Sequence, residues 1–368
     1  MLSRRDVFKI LGTLPIGGSL TGRARFRFTL VMIAAFAVFP ISAQTQNTRT
    51  VSATSAPAVL PKLPGTGLAQ HPFLYCGEWD YIHPQQTIHL IQGGKEVWSY
   101  SIPLDIVLGT KPDKQELGDC TRLSNGNILF SRRFGAGIVT PDKKLIWNYD
   151  GPPGTEIHSV QAIGLDRVLV MQNGNPAKLL LIDVPSGKVA KEIVLPTGNP
   201  NQVHGQFRRV RMTRNGTYLA AHMDLGKVVE YDAAGKPIWS VDAPAAWSAV
   251  RLKNGNTLIG GNQNGYAREV DPAGKTFWEV TRDELPGFPL AVVQEVSRLA
   301  NGNTIICNWV AGGTKPEDWP RTIQVLEVTP DKKVVWALRQ WDNPNLGPAS
   351  AIQVLDETGF PENGDLQR

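Results

Sequence analysis

The sequence predicts an all-β protein in which six small four-stranded sheets close into a ring, and three observations lead there. Four segments repeat one pattern of apolar runs and turn residues. Each repeat has room for four short strands. The 36 Gly and 27 Pro among 368 residues favour turns and oppose long helices. With 42% apolar residues the chain can also build a core, which excludes a disordered protein.

The repeats justify the elements in order. Segments Arg122–Phe130, Arg211–Leu219, Arg251–Ile259 and Arg298–Ile306 each carry Asn-Gly between apolar residues. That dipeptide supplies the positive φ values of a tight hairpin and joins a first strand to a second. Each is followed by a second signature, at Val139–Trp147, Tyr231–Trp239, Val270–Trp278 and Val328–Trp336. Its Asp-x-x-Gly-Lys type of turn joins a third strand to a fourth, with Gly able to take the left-handed conformation. The closing Trp is an apolar plate suited to the space between adjacent sheets. A degenerate copy runs through Gly164–Val170 and Ile182–Lys188, and a partial one spans Ile91–Trp98.

Four strands per repeat describe the blade of a β-propeller, and one blade cannot bury both of its faces, so the blades must close on each other. Blades fall near 117–152, 156–196, 203–244, 246–281 and 292–341, with an incomplete one at 73–102 that lacks its first strand. The apolar segment Ala349–Leu355 has no partner of its own. Placing it in the incomplete blade completes six blades and brings the chain ends together; seven blades is the alternative.

The Asp-x-x-Gly-Lys-x-x-Trp element resembles the tryptophan-docking repeat of quinoprotein-type propellers, the superfamily with PQQ-like repeats, over roughly residues 73–357. The resemblance implies architecture. The superfamily's dehydrogenases have more blades and hold their quinone against adjacent cysteines, whereas Cys76, Cys120 and Cys307 are widely spaced. A non-dehydrogenase member is therefore expected, with no cofactor. Three dispersed cysteines also give neither a disulfide framework nor a metal motif, so no metal is expected and each reads as a small buried hydrophobe, with one bridge between neighbouring elements as the alternative.

Charge separates the chain into parts. Residues 1–43 hold Arg4, Arg5, Lys9, Arg23, Arg25 and Arg27 against Asp6, which accounts for the whole net charge of +5. The neutral remainder has no field to attract phosphate backbones, so nucleic acid is not an expected partner. Ser3–Lys9 resembles a twin-arginine export signal, while Arg23 to Ala43 looks like an ordinary signal peptide whose apolar run is too short to remain as a membrane span. The expected organisation is an export signal at 1–43, a disordered linker at 44–70, the propeller at 71–357 and a tail at 358–368. The expected location is periplasmic or secreted, and the expected state a monomer.

Candidate site residues follow from topology. Residues leading into each first strand crowd around the channel on one face of a propeller. Here they are Asp119, His158, His204, Trp247 and Glu295, with Arg208 and Arg209 just after His204. Imidazoles beside guanidinium groups suit an anionic ligand. The set resembles periplasmic arylsulfotransferases, six-bladed propellers in which a histidine accepts the sulfuryl group. That resemblance implies His204 as nucleophile, with His158 and Arg208 holding oxygens. The alternatives for both histidines are a structural role, bonded to loop carbonyls or lining a wet channel, and, behind it, a metal. A second candidate is the long insertion at 308–320, where Trp309 and Trp319, expected to be exposed, would suit a sugar or peptide. Two functions follow: an exported module that binds a protein, peptide or glycan, or a transferase or lyase acting on an anionic substrate in the channel.

Overall fold

The protein is described by a computed structural model covering residues 62–77, 83–262 and 265–368. The leader at 1–43 and the first part of the linker lie outside the described residues.

The blades form in chain order. The first has β1 (Phe73–Gly77), β2 (Gln85–Gln92) and β3 (Lys95–Pro103), followed by a small hairpin of β4 (Asp105–Leu108) and β5 (Lys111–Lys114). The second has β6 (Leu117–Arg122), β7 (Ile128–Arg132), β8 (Gly135–Val139) and β9 (Leu145–Asp150); the third has β10 (Glu156–Ile163), β11 (Arg167–Asn173), β12 (Ala177–Asp183) and β13 (Val189–Leu195). The fourth has β14 (Phe207–Met212), β15 (Tyr218–His222), β16 (Lys227–Tyr231) and β17 (Pro237–Asp242); the fifth has β18 (Ala246–Arg251), β19 (Thr257–Gly261), β20 (Tyr266–Val270) and β21 (Thr276–Thr281). The sixth has β22 (Val292–Arg298), β23 (Thr304–Trp309), β24 (Val325–Val328) and β25 (Val334–Leu338). Finally β26 (Ala349–Val354) returns to pair antiparallel with β1 as the innermost strand of the first blade. The result is a six-bladed β-propeller, and the seven-bladed alternative is excluded.

Apolar packing lies between blades. Each of six clusters of buried residues joins two neighbouring sheets, as where Leu129 and Trp147 of the second blade meet Ile157 and Leu180 of the third. The tryptophans fasten these interfaces with a polar handle. The indole N–H of Trp98 donates to the Pro141 carbonyl at 2.8 Å, Trp239 to Pro272 at 2.8 Å and Trp278 to Pro330 at 3.0 Å, each in the following blade. The degenerate third blade has Lys191 at the equivalent position, and its ammonium donates to the Ala233 carbonyl at 2.5 Å. At the closure Trp336 donates to Gly67 at 2.9 Å, in the segment ahead of β1. Residues 63–70, assigned to the linker on composition, are therefore docked on the propeller from Leu63 onward. Leu63 and Leu68 supply the apolar contacts that composition concealed.

Two faces result. On the turn face, connections between strands are two to five residues long, and the last segment lies across them. There the backbone N–H groups of Ala300, Ser124 and Lys253 donate to Glu357, Glu362 and Gln367 at 2.7, 3.1 and 2.8 Å. The tail at 358–368 is thus packed against first-hairpin turns of several blades. The loop face carries every long connection, including 104–116, 196–206, 282–291, 310–324 and 339–348.

Closure also carries a titratable pair. His71 lies 3.0 Å from Glu327 of the sixth blade and 3.0 Å from Asp356, with its ring edge-on to Trp336. Burial opposes charging of His71, but the two carboxylates outweigh it and raise its pKa above 6.5. The Glu327 carboxyl moves down, since burial is outweighed by His71 and Asn303. The His71 contribution to stability is therefore full below its unfolded value and lost as pH rises through the higher folded value. Urea unfolding of His71→Gln should show a deficit of about 1–2 kcal/mol near pH ~5.5 that shrinks toward zero near pH ~9. A deficit independent of pH would contradict this assignment.

Candidate functional site

Every innermost strand carries one extra residue where it leaves the loop face. The register slips at Ser350 in β26, Gly118-Asp119 in β6, His158 in β10, Arg208-Arg209 in β14, Trp247 in β18 and Gln294 in β22. A bulge bends its strand and re-aims the side chain. Six bulges in a ring bring side chains from distant parts of the chain to the axis.

The middle of the channel is filled by ion pairs. Arg209 reaches from the fourth blade to Asp119 of the second at 2.5 Å. It donates to the carbonyls of Gly118 at 3.1 Å and Ser350 at 2.8 Å, and lies 3.7 Å from Glu295 of the sixth blade. Arg211 holds the other Asp119 oxygen at 2.9 Å, and Arg368, the last residue, enters from the turn face to meet Glu295 at 3.1 Å. Burial alone would raise the Asp119 carboxyl, but Arg209, Arg211 and Arg368 outweigh it and hold its pKa at about 2. Burial works against the Arg209 charge as well, and Asp119 and Glu295 reverse that and raise its pKa.

These carboxylates do a second job. Inner strands have one edge turned to the axis, where backbone N–H groups lack strand partners and are costly to leave unmade. The Glu295 carboxylate accepts from Ile352 N–H at 2.9 Å, Ser159 Oγ from Val210 at 3.0 Å, Gln161 from Met212 at 2.7 Å and Gln353 from Arg122 at 2.7 Å. In each case a residue of one inner strand satisfies the next blade. Asp119, Arg209 and Glu295, singled out as ligand contacts, sit in this lattice with their charges spent on one another.

Nearer the loop face a different cluster forms. His158 Nε2 and His204 Nδ1 lie 2.9 and 2.8 Å from the same oxygen of Glu156, and the two rings are edge-on with centroids 5.3 Å apart. The other Glu156 oxygen accepts from Arg133 Nε at 3.0 Å and Nη2 at 2.8 Å. His204 belongs to the 3₁₀ turn Val203–Gly205 ahead of β14, which leaves its side chain 41% exposed while Glu156 and His158 are buried. Burial, then the Arg208 charge, pushes the His158 pKa down to about 3 against the pull of Glu156, so its imidazole is neutral. Burial would raise the Glu156 carboxyl, yet hydrogen bonds to both histidines outweigh it and keep the group ionised.

His158, His204 and Arg208 thus lie near one another, with the Arg208 guanidinium on the His204 carbonyl and over Trp247. It donates to that carbonyl at 2.5 Å and lies 4.4 Å from the ring centroid of Trp247 in the next blade. Glu156 went unnoticed, and its signal was its place two residues ahead of His158, on the same side of a strand. Trp309 and Trp319 correct an expectation, since both are buried. Trp309 packs against Gly312, where an added Cβ would lie 2.5 Å from the ring, and Trp319 donates to Thr314 at 3.0 Å with Trp341 beside it. Both hold the insertion together. Cys76, Cys120 and Cys307 are free thiols buried in strands.

No family model matches the chain, and no curated protein does. Among solved structures, a protein of unknown function from Bacteroides caccae is 24% identical, with a TM-score of 0.65 over 78% of this chain and 100% of its own. A catalytically inactive virginiamycin B lyase from Staphylococcus aureus with quinupristin is 12% identical, with a TM-score of 0.48 over 77% of this chain and 90% of its own. The WD40 propeller domain of Doa1 is 13% identical, with a TM-score of 0.43 over 62% and 71%. At these identities the likeness is one of fold.

The axial lattice makes a stability prediction. Arg209→Met leaves Asp119 and Glu295 buried with less compensation and should cost about 3–5 kcal/mol in urea unfolding. Adding Asp119→Asn should cost less than the sum of the two single changes, because the residues are in contact. Additive losses, or a loss below about 1 kcal/mol for Arg209→Met, would show that the lattice is not a unit.

Proposed function

We propose that the protein is an exported binding module that receives a protein or peptide partner on the loop face. One observation carries this reading: all long connections gather on that face, while the turn face is built of short turns crossed by the last segment. Variable loops on a rigid scaffold are where binding surfaces are built. The β4–β5 hairpin supports a protein or peptide over a glycan. It presents Val107, 68% exposed, and Leu108 at its tip, whereas Trp309 and Trp319, the aromatic surface a sugar would stack on, are buried. Export rests on the paired arginines and apolar run of the leader. The tryptophan-docking bonds support kinship with quinoprotein-type propellers.

A transferase acting on an anionic substrate draws less support. The Glu156 carboxylate stands against both imidazoles and would repel an anion, and Arg208 is engaged by the His204 carbonyl and Trp247.

Photo-crosslinking from Val107, with Lys253 on the turn face as the control position, tests the binding reading. Discrete adducts from Val107 are expected in the exporting compartment, with none from Lys253. Val107→Asp/Leu108→Asp should weaken binding of the captured partner by about tenfold or more, or about 1.4 kcal/mol. Equal adducts from both positions, or unchanged affinity in the double variant, would contradict it.

A further inference from the structure

We propose that Glu156, His158 and His204 form a site for one divalent transition-metal ion, zinc being the representative case, at the loop-face mouth of the channel. The donor atoms already converge: one nitrogen from each imidazole and one carboxylate oxygen lie within 4.8 Å of one another. Two imidazoles and a carboxylate suit zinc-like ions, and three protein ligands leave a further position for solvent or a ligand. His204 supplies the open side, because its ring is half-exposed where the other two ligands are buried.

The two nitrogen–oxygen separations need little change to accept an ion, and the two imidazole nitrogens lie within 4.8 Å of each other. The separations of 2.8 and 2.9 Å are those of hydrogen bonds. Ligands about 2.0–2.1 Å from a tetrahedral ion stand roughly 3.3 Å apart, so each contact widens by about half an ångström. Rotation of the His204 ring on its surface turn can supply much of this.

The surroundings suit a cation. Arg133 grips the far oxygen of Glu156 with two donors and fixes which oxygen faces the histidines, the work of a positioning residue around a metal. Its charge is matched by Glu116 at 3.8 Å and Asp113 at 3.3 Å as well as Glu156. With Arg208 also counted, three carboxylates meet two guanidinium groups, which leaves the neighbourhood with negative charge for an ion to neutralise. Sequence spacing could not announce this site, since its ligands come from β10 and from the turn ahead of β14 in the next blade.

Cobalt(II) is the test probe, added to metal-free protein without a histidine tag and followed by visible absorption, with zinc(II) as competitor. The expected result is saturable binding of one equivalent, with the absorption of low-coordinate cobalt, reversed by zinc. His204→Ala, whose ring is half-exposed and outside the strands, should fold normally and bind at least about 100-fold more weakly, while Arg133→Met should lose about 10–100-fold. His83→Ala and His89→Ala should bind as the natural chain does. Absence of saturable binding in the natural protein, or unchanged cobalt affinity and spectrum in folded His204→Ala, would overturn the proposal.

Discussion

Among the described residues, no blade has a core of its own. The apolar clusters each lie between two sheets, so the faces of every blade belong to two different cores, and each core exists only while its neighbour is in place. A linear stack would leave two apolar faces in water at its ends. The ring removes that cost at one junction, where β26 pairs with β1, His71 meets Glu327 and Asp356, and Trp336 docks on Gly67. Everything described at the axis depends on that junction holding, because the six bulges face one another only in a closed ring.

Closure concentrates polar groups where burial is most costly. Inner strand edges turn unpaired N–H groups toward the axis, and the chain meets them with side chains from the neighbouring blade: Glu295, Ser159, Gln161 and Gln353. Ionised groups taken out of water need partners. Asp119 and Glu295 have Arg209, Arg211 and Arg368. These groups secure the middle of the channel, and a second polar cluster lies nearer the loop face, where Glu156, His158 and the half-exposed His204 sit.

Much of the architecture was legible because it repeats. In four of the six blades Asn-Gly and either Asp-x-x-Gly-Lys or Thr-Pro-Asp-Lys-Lys place two hairpins by local backbone chemistry, and the unpaired Ala349–Leu355 identified the closing strand. The meeting of His158 with His204 followed from blade order alone. What escaped depends on contacts between blades. Lys191 occupies a tryptophan's place and reaches the same backbone position, which no motif match would find. Glu156 becomes a partner of His204 only through the neighbouring blade, and the pairing of Asp119 with Arg209 spans the channel. Trp309 and Trp319 looked exposed because they occupy a long insertion, but the insertion folds over its own aromatic side chains.

The closing strand is the most direct point of attack on this account. Urea unfolding of a chain ending at Pro348, compared with the full chain by tryptophan fluorescence and circular dichroism, measures what β26 and the segment beyond it contribute. The account predicts loss of the cooperative transition, since removing β26 takes the inner strand from the first blade and Glu295 loses both Ile352 and Arg368. A shortened chain that unfolds cooperatively at the same midpoint and with the same denaturant dependence would contradict it.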